Sequence, residues 1–489
     1  MLFNSFVFVL VFLPLTVIVF FAAGRFSRKA AAAVLAAASL IFYSYWDPRY
    51  LILLLASVAI NYTAGRAISR ARDRNLAWWF AAAGIGADLA ILGYYKYADF
   101  FITSLNTAGA LSIPVLGVVL PIGISFFTFT QIAFLADVYK GGVREYRFIH
   151  YLLFVTYFPH LIAGPILHHK EIMPQFEDVQ TYEPETKNFT IGSLIFLIGL
   201  GKKVLLADTF AAYANPVFDA ASLNHSVDFA SAWAGTLAYT LQIYFDFSGY
   251  TDMAVGLSLL FGIRLPINFN SPYKAISIID FWRRWHMTLS RFLRDYLYIP
   301  LGGNRNGPLR RYTNLLVTML LGGLWHGASW TFVAWGGLHG LYLIVNHAWA
   351  AVFPVSHPNR LRALAAGGTT FMAVVFAWVF FRAPTFRAAA NIIQAMVGGT
   401  EISTDFHAWS AGWSSQFGLQ ESGERVAATI LVGLGLCWFF PNSQEIAYGL
   451  QLFRGRMQWG TFGAVAVMIV ILLAINASRG VSEFIYFNF

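Results

Sequence analysis

The chain has 489 residues, of which 58% are hydrophobic and only 12% are charged, and its mean hydropathy is +0.59. Water-soluble proteins carry about 25% charged residues, so this composition excludes both a soluble multidomain enzyme and a disordered chain. Lys and Arg (33) exceed Asp and Glu (24) by nine, which in a membrane protein is typical of cytoplasmic loops rather than of a nucleic-acid surface. Because the ten-residue alternation of barrel strands is missing, the sequence predicts an all-α, polytopic integral membrane protein.

Thirteen apolar runs are candidates for transmembrane helices, since crossing the ~30 Å hydrocarbon layer takes about 20 residues. Several runs are short or interrupted by Gly or Pro, so we expect about ten to twelve true spans. The first run is followed, not preceded, by Arg25, Arg28 and Lys29, which predicts an uncleaved helix with its N-terminus outside the cytoplasm. The runs lie near residues 3–23, 31–47, 48–65, 77–95, 114–138, 148–166, 189–207, 228–248, 313–330, 331–350, 368–383, 426–440 and 460–477.

Three clusters of basic residues predict which loops face the cytoplasm. In the largest, from Asp280 to Arg311, seven arginines and two aspartates give +5, more than half of the excess of the whole chain. Composition leaves two interpretations open: a contact with lipid headgroups that sets topology, or a site for a multiply phosphorylated cofactor, since guanidinium groups match phosphate oxygens. The clusters are Arg66, Arg70, Arg72 and Arg74, then Lys140, Arg144 and Arg147, and then Arg283, Arg284, Arg291, Arg294, Arg305, Arg310 and Arg311.

The largest cluster is expected to contain a helix. Asp280 can cap a helix that begins at Phe281, because a short carboxylate accepts hydrogen bonds from the free N–H groups of a helix start. Arg284 and Arg291 would then flank His286, which places the imidazole beside a guanidinium-rich face. The following helix is expected to have Pro308 in its first turn, where proline needs no hydrogen-bonding N–H.

His326 is the ionisable residue that this following helix carries deepest into the bilayer. It lies fifteen residues beyond Arg311, which corresponds to about 22 Å along a helix. Gly322, Gly323 and Gly327 would leave room around it for neighbouring helices or for a substrate chain. A buried imidazole can be a satisfied core group, or it can act as a general base toward a hydroxyl group.

Other candidate sites carry weaker signals. Residues 168–187 are expected to form a polar loop, and its two histidines lack a spaced third ligand for zinc, so no metal site is predicted. Residues 386–425 are expected to begin as an amphipathic surface helix and to continue as a loop. The run GLGKK at Gly199–Lys203 lacks the spacing of a phosphate loop. His339 and His347 are expected to be packing or interface groups, and Cys437 is expected to be a small packing residue.

Two long motifs resemble the membrane-bound O-acyltransferase family, in particular its bacterial branch for alginate O-acetylation and D-alanyl transfer to Gram-positive walls. They are DFWRRWHMTLSRFLRDYLYIPLGGNR at 280–305 and GGLWHGASWTFVAWGGLHG at 322–340. Further matches are PIGISFFTFTQIAFLADVY at 121–139, YFPHLIAGPI at 157–166, FDFSGYTDMAVGLSLLFGI at 245–263 and FIYFNF at 484–489. The resemblance therefore covers essentially the whole chain.

This resemblance implies a ring of helices, with re-entrant or interfacial elements, around a central tunnel. It implies that His326 of the WHG motif is catalytic, and that His286 of RRWH is a second motif residue that orients or polarises the thioester. The implied donor is cytoplasmic acetyl-CoA, used as a substrate with no bound cofactor and no metal. The residues expected to bind or surround that donor are Arg283, Arg284, Arg291, Arg294, Asp280 and Trp325.

The whole chain, 1–489, is expected to form one membrane-embedded domain of the cell inner membrane, with a catalytic core at about 115–350 and peripheral helices at 1–110 and 366–489. The leading hypothesis is O-acetylation of an extracellular or periplasmic polysaccharide, aided by a periplasmic acetyltransferase of the SGNH type. Transfer to teichoic acid, peptidoglycan, a lipid or a protein is an alternative within the family. A non-catalytic polysaccharide transporter or flippase, and a structural scaffold of a secretion complex, are alternatives from other classes.

Overall fold

The computed structural model describes residues 1–109, 112–141, 147–353, 359–400, 406–418, 421–449 and 457–488. Within these ranges every regular element is a helix, which confirms the predicted all-α class. Arg144 of the second basic cluster lies outside the described residues.

The helices group into two compact units, each described separately below. The first unit comprises Met1–Leu200, Tyr250–Ile267 and Ser443–Asn488, and the second comprises Gly201–Gly249 and Asn268–Asn442. This grouping by proximity leaves the single-domain prediction untested. The α-helices are α1 Leu13–Phe26, α2 Arg28–Ser44, α3 Arg49–Arg70, α4 Arg74–Leu92, α5 Ala98–Thr107, α6 Ile124–Tyr139, α7 Phe148–Thr156, α8 Phe158–Leu161, α9 His169–Glu177, α10 Thr186–Gly201, α11 Asp208–Ser222, α12 Phe229–Leu260, α13 Ile278–Trp282, α14 Met287–Leu293, α15 Gly307–His326, α16 Trp330–Val352, α17 Arg360–Arg382, α18 Phe386–Met396, α19 Phe406–Phe417, α20 Gly423–Phe439, α21 Ser443–Gly449 and α22 Met457–Arg479.

Five continuous helical stretches in the described residues are long and apolar enough to cross a membrane. A sixth is gained if α20 and α21 count as one bent span. Helices α12, α15 and α16 have the necessary length but carry buried polar residues such as Asp246, Asn314 and His339. Helices packed among other helices tolerate such groups, and counting these three gives eight or nine spans in the described residues, fewer than the ten to twelve expected. The five stretches are Val7–Phe26, Arg49–Arg70, Arg74–Thr107, Thr186–Ser222 and Arg360–Arg382.

The first unit holds its helices together through aromatic packing and through buried amides. Phe3 stacks on Tyr250 with ring centroids 5.0 Å apart. Between α3 and α4, the amide of Asn61 donates to a carboxylate oxygen of Asp88 at 2.7 Å, and both side chains are buried. Hydrogen bonds of this kind join helices where lipid gives no hydrophobic driving force for their association.

In the second unit, α15 and α16 approach each other at backbone distance. A Cβ atom on Gly323 would lie 2.2 Å from the carbonyl oxygen of Phe332, and one on Gly336 would lie 2.2 Å from that of Met319. Glycine is therefore required on both sides of the contact, because a side chain would collide with backbone. Of the three glycines predicted to make room near His326, Gly323 is the one that permits this close approach of a neighbouring helix.

Replacing Gly336 by alanine is expected to destabilise the protein by about 1–3 kcal/mol, because the collision forces the two helix backbones apart. Gly337→Ala is the matched control: its Cβ would meet Leu320 at 3.4 Å, an ordinary contact. The control should be neutral, or more stable by up to about 1 kcal/mol through helix propensity. Thermal unfolding in detergent measures both variants, and equal transition temperatures would contradict the close-packing account.

Several helix boundaries differ from the sequence prediction. Ser277, not Asp280, caps α13: its hydroxyl accepts from the N–H of Asp280, which lies in the first turn. The predicted helix also breaks at Arg283–His286, so Arg284, His286 and Arg291 do not share one helix. In the expected loops, α9 and α19 are helical, while residues 401–405 and 419–420 lie outside the described part. Pro308 lies in the first turn of α15, as predicted.

Candidate active site

The backbone around His286 is held in an unusual conformation. His286 links α13 and α14 with φ 43° and ψ 53°, in the left-handed region that is costly for a non-glycine residue. Two backbone hydrogen bonds hold it there: the N–H of Met287 donates to the carbonyl of Asn268 at 3.0 Å, and the N–H of Asn270 donates to the carbonyl of Arg284 at 2.9 Å. The segment 268–270 therefore fixes the turn that positions the imidazole.

The His286 ring is fully buried at 0% exposure. Its Nδ1 lies 3.1 Å from Oδ1 of Asn268, and its ring meets the edge of Phe247 with centroids 4.8 Å apart. Burial among these groups removes the imidazole from bulk water, so its hydrogen bonds are made with protein or substrate.

His326 is the last residue of α15 and is 2% exposed. Aromatic rings surround it: Trp325 at 5.0 Å between centroids, Trp335 of α16 at 5.1 Å and Phe381 of α17 at 5.2 Å. Because α15 is continuous from Gly307, fifteen helical residues separate His326 from Arg311, or about 22 Å. The predicted distance of His326 from Arg311 along the helix is confirmed, and its depth in the bilayer stays a prediction.

The two histidines predicted as catalytic lie together although 40 positions separate them. Their ring centroids are 6.3 Å apart, and the Trp325 ring lies 6.1 Å from that of His286. Two buried imidazoles at this separation can both reach one small reacting group placed beside them. A neutral imidazole can take a proton from a hydroxyl group, and acyl transfer to oxygen needs such a base.

The arginines predicted to bind the donor are half-buried or exposed, and two of them pair with carboxylates. Nε of Arg284 lies 2.8 Å from Asp280, and Nε of Arg294 lies 2.7 Å from Asp295. Asp280 therefore holds Arg284 in place, and its expected place beside the donor stays a prediction. The donor-binding role of this set stays a prediction, and the set consists of Arg283, Arg284, Arg291 and Arg294.

Sequence reasoning missed two groups in this unit. Asn268 touches His286, and its signal was an amide in the otherwise apolar run LPINF at 265–269. Lys203 is 2% exposed and pairs with Asp246 at 2.9 Å and with Asp208 at 2.8 Å. Its signal was the GLGKK run, where a lysine within an apolar helix indicates a buried partner. Cys437 is buried, as expected of a packing residue.

Comparison with known proteins decides the family. The sequence model of the membrane-bound O-acyltransferase (MBOAT) family matches residues 122–383, a range that includes His286 and His326. The chain belongs to the membrane-bound O-acyltransferase family. It is accordingly a membrane-embedded acyltransferase, and the predicted family and reaction class are confirmed.

Relatives of this acyltransferase differ in the acceptor that their names give. A peptidoglycan O-acetyltransferase of Helicobacter pylori is 39% identical over 527 residues, covering all of this chain and 98% of the relative. A probable alginate O-acetylase AlgI of Pseudomonas putida is 39% identical over 504 residues and the full length of both proteins. A teichoic acid D-alanyltransferase of Streptococcus thermophilus is 29% identical over 250 residues, covering 50% of this chain and 60% of the relative. Similarity thus extends over the full length for relatives named for O-acetyl transfer.

Proposed function

We propose that this acyltransferase resides in the cell inner membrane and moves acetyl groups from cytoplasmic acetyl-CoA toward O-acetylation of a polysaccharide outside the cytoplasm. The observation that carries the proposal is the pair of buried imidazoles of His286 and His326, 6.3 Å apart. Full-length similarity to relatives named as O-acetylases favours acetyl over D-alanyl as the group transferred.

In the proposed reaction, His326 is the general base. Its neutral imidazole takes the proton of the acceptor hydroxyl while that oxygen attacks the thioester carbonyl carbon. The carbon–sulfur bond then breaks, and the leaving coenzyme A thiolate takes the proton from the protonated His326, which restores the neutral base. Aromatic rings at 5.0–5.2 Å from His326 exclude water, which would otherwise compete as the acceptor.

The acetyl donor is proposed to bind through the arginines between α13 and the end of α14, with Trp325 beside the reacting centre. Guanidinium groups form charge-assisted, often paired hydrogen bonds with phosphate oxygens, and coenzyme A carries several phosphates. Arg284 and Arg294 already pair with carboxylates, and Arg291 is half-buried. Arg283 is exposed and is therefore the member of this set most available for a new phosphate contact.

Arg283→Gln is expected to raise KM for acetyl-CoA about 3- to 30-fold while kcat changes little, since the phosphates lie away from the reacting carbonyl. Steady-state kinetics with purified protein in nanodiscs measure both constants. Arg305→Gln is the control, because Arg305 is exposed in the same basic stretch but outside the proposed donor set. An equal rise of KM in both variants would indicate a diffuse electrostatic effect and contradict the assigned contact.

The experiment that tests the function uses the purified chain in lipid nanodiscs with acetyl-CoA labelled in the acetyl group. Release of free coenzyme A and the fate of the label are followed with alginate-type, peptidoglycan and teichoic acid acceptors. Each acceptor is tested with and without a periplasmic SGNH-type acetyltransferase, which we propose completes the transfer. Appearance of the labelled acetyl group in an acceptor supports the proposal. The acceptor that is labelled fastest identifies the class of polysaccharide that the enzyme uses.

The same assay separates the alternative classes. A transporter or flippase moves a polysaccharide without breaking a thioester, so it would release no coenzyme A under any of these conditions. A scaffold would likewise leave the thioester intact, and both histidines could then be replaced without effect. Transfer of a D-alanyl or other acyl group from its donor, but not of acetyl from acetyl-CoA, would instead overturn the donor assignment.

A further inference from the structure

The side chain that faces His286 reveals which of its ring nitrogens carries a hydrogen. Asn268 is 2% exposed, and its Oδ1 lies 3.2 Å from the backbone nitrogen of Thr288 and 3.0 Å from the Thr288 hydroxyl. A backbone N–H only donates, so the Asn268 atom that faces it is the oxygen and not the amide nitrogen. The orientation of the amide thus follows from the main chain.

This same oxygen lies 3.1 Å from Nδ1 of His286. A carbonyl oxygen only accepts, so Nδ1 must supply the hydrogen of that contact. In a neutral imidazole one nitrogen donates and the other accepts, which leaves the lone pair on Nε2. Burial at 0% exposure favours this neutral form over the charged one.

Asn268 is held in place more firmly through its oxygen than through its nitrogen. The Nδ2 group is buried and has no hydrogen-bond partner among the described residues. Leaving a buried donor without a partner costs free energy, so the amide nitrogen does not hold the side chain in this position. The three contacts of the oxygen are what fix the amide. One of those three contacts is the imidazole proposed to take part in the reaction.

We propose that Asn268 is a positioning residue that holds His286 in the Nδ1–H tautomer, so that His286 presents an accepting Nε2 to the reacting groups. The inference rests on the proposed function, since it specifies how His286 takes part in acyl transfer. In this tautomer Nε2 can accept a hydrogen bond from an amide N–H of the pantetheine arm of the acyl donor and so orient the thioester, while the single hydrogen of the acceptor hydroxyl goes to His326. Of the two roles expected of His286, orienting the thioester fits an accepting Nε2, whereas polarising its carbonyl needs a donor at that nitrogen and does not fit this tautomer.

The first test reads the tautomer directly. The protein is prepared with 15N in its histidine rings, and solid-state spectra in lipid are compared with those of His286→Gln to identify the His286 signals. We expect a protonated Nδ1 and a bare Nε2. A protonated Nε2 with a bare Nδ1 would overturn the proposal, whatever the protein does to acetyl-CoA.

The second test changes the oxygen that faces Nδ1. Asn268→Leu removes it and is expected to lower kcat at least about tenfold, with the His286 tautomer no longer fixed. Asn268→Asp keeps an accepting oxygen but adds a negative charge, which stabilises the protonated imidazole. The acidic limb of the activity profile should therefore move to higher pH by about 1 unit or more. His326, whose ring centroid lies 6.3 Å away, is a titratable side chain facing His286 and is present in both variants.

Asn314→Leu is the matched control, because Asn314 is also 2% exposed and donates through its amide to the carbonyl of Gly303 at 3.0 Å. It loses a buried amide far along α15 from His326 and should change neither the 15N signals of His286 nor the pH profile. Equal effects of the Asn268 and Asn314 variants would show a structural role only and overturn the proposal. If no acyl donor turns over, the proposed function fails while the tautomer remains measurable.

Discussion

His326→Ala is expected to lower the rate of acetyl transfer by about 10²- to 10⁴-fold, the contribution typical of a positioned general base. In the alanine variant no base removes the proton of the acceptor hydroxyl as its oxygen attacks. A water molecule cannot readily take over as the base, because the rings of Trp325, Trp335 and Phe381 surround this position. The loss should appear in kcat with little change in KM for acetyl-CoA, since the phosphates bind elsewhere. Coenzyme A release in nanodiscs at saturating acetyl-CoA measures it.

The control for His326→Ala is a histidine that is equally hidden but lies in the other unit. His150 is 4% exposed on α7, so His150→Ala removes the same side chain from an interior position. Size-exclusion profiles and thermal transitions report whether each variant is folded. If the folded His326→Ala protein turned over acetyl-CoA as fast as the His150→Ala protein, the assignment of His326 as the base would be wrong.

The sequence was most informative where one helix carries the evidence by itself. Pro308 marks the start of α15, and the apolar run continues without a break to His326. Local sequence therefore predicts both the helix and the distance of its last residue from Arg311 along the helix axis. The sequence offered a neighbouring helix or a substrate chain as reasons for the glycines near His326, and the structure decides for Gly323, because only glycine permits its backbone contact with α16.

Prediction failed where two local signals compete or where distant residues decide. Ser277 and Asp280 are both good helix caps, and only the three-dimensional turn shows that the hydroxyl of Ser277 takes that place. The left-handed conformation of His286 depends on backbone hydrogen bonds that join the residues on either side of it to Asn268 and Asn270. These two residues lie sixteen or more positions before His286 in the chain. Because no periodicity within the motif indicates a break at Arg283–His286, the local sequence predicts a continuous helix.

Lys203 illustrates a third kind of failure, in which the motif matches no known binding loop and its buried ion pair is missed. GLGKK does not have the spacing of a phosphate loop, yet Lys203 is among the most buried charged residues of the described chain. Its amino group joins Asp246 of α12 to Asp208 at the start of α11. Pairing of this kind depends on which helices become neighbours, and that is a property of the fold and not of the local sequence.

Lys203→Met is expected to lower the free energy of unfolding by about 3–5 kcal/mol, because it leaves the Asp246 carboxylate buried without its cation. Asp246 is 2% exposed, so water cannot replace the lost partner. The double variant Lys203→Met/Asp246→Leu should recover most of that loss, since apolar side chains of similar size can replace a buried ion pair at little cost. Thermal or denaturant unfolding in detergent, followed by circular dichroism, measures the series.

Lys202→Met provides the control within the same run of sequence. The Lys202 amino group lies over the Tyr244 ring at 5.8 Å, a cation–π contact worth about 0.5–1 kcal/mol where it is exposed. A loss of that size for Lys202 beside a several-fold larger loss for Lys203 would locate the effect in the buried ion pair. Comparable losses in both single variants, or no recovery in the double variant, would mean that the lysine side chains matter here through packing and not through charge. In that case α11 and α12 would owe their association to apolar contacts, and the pair would be a consequence of the fold instead of one of its supports.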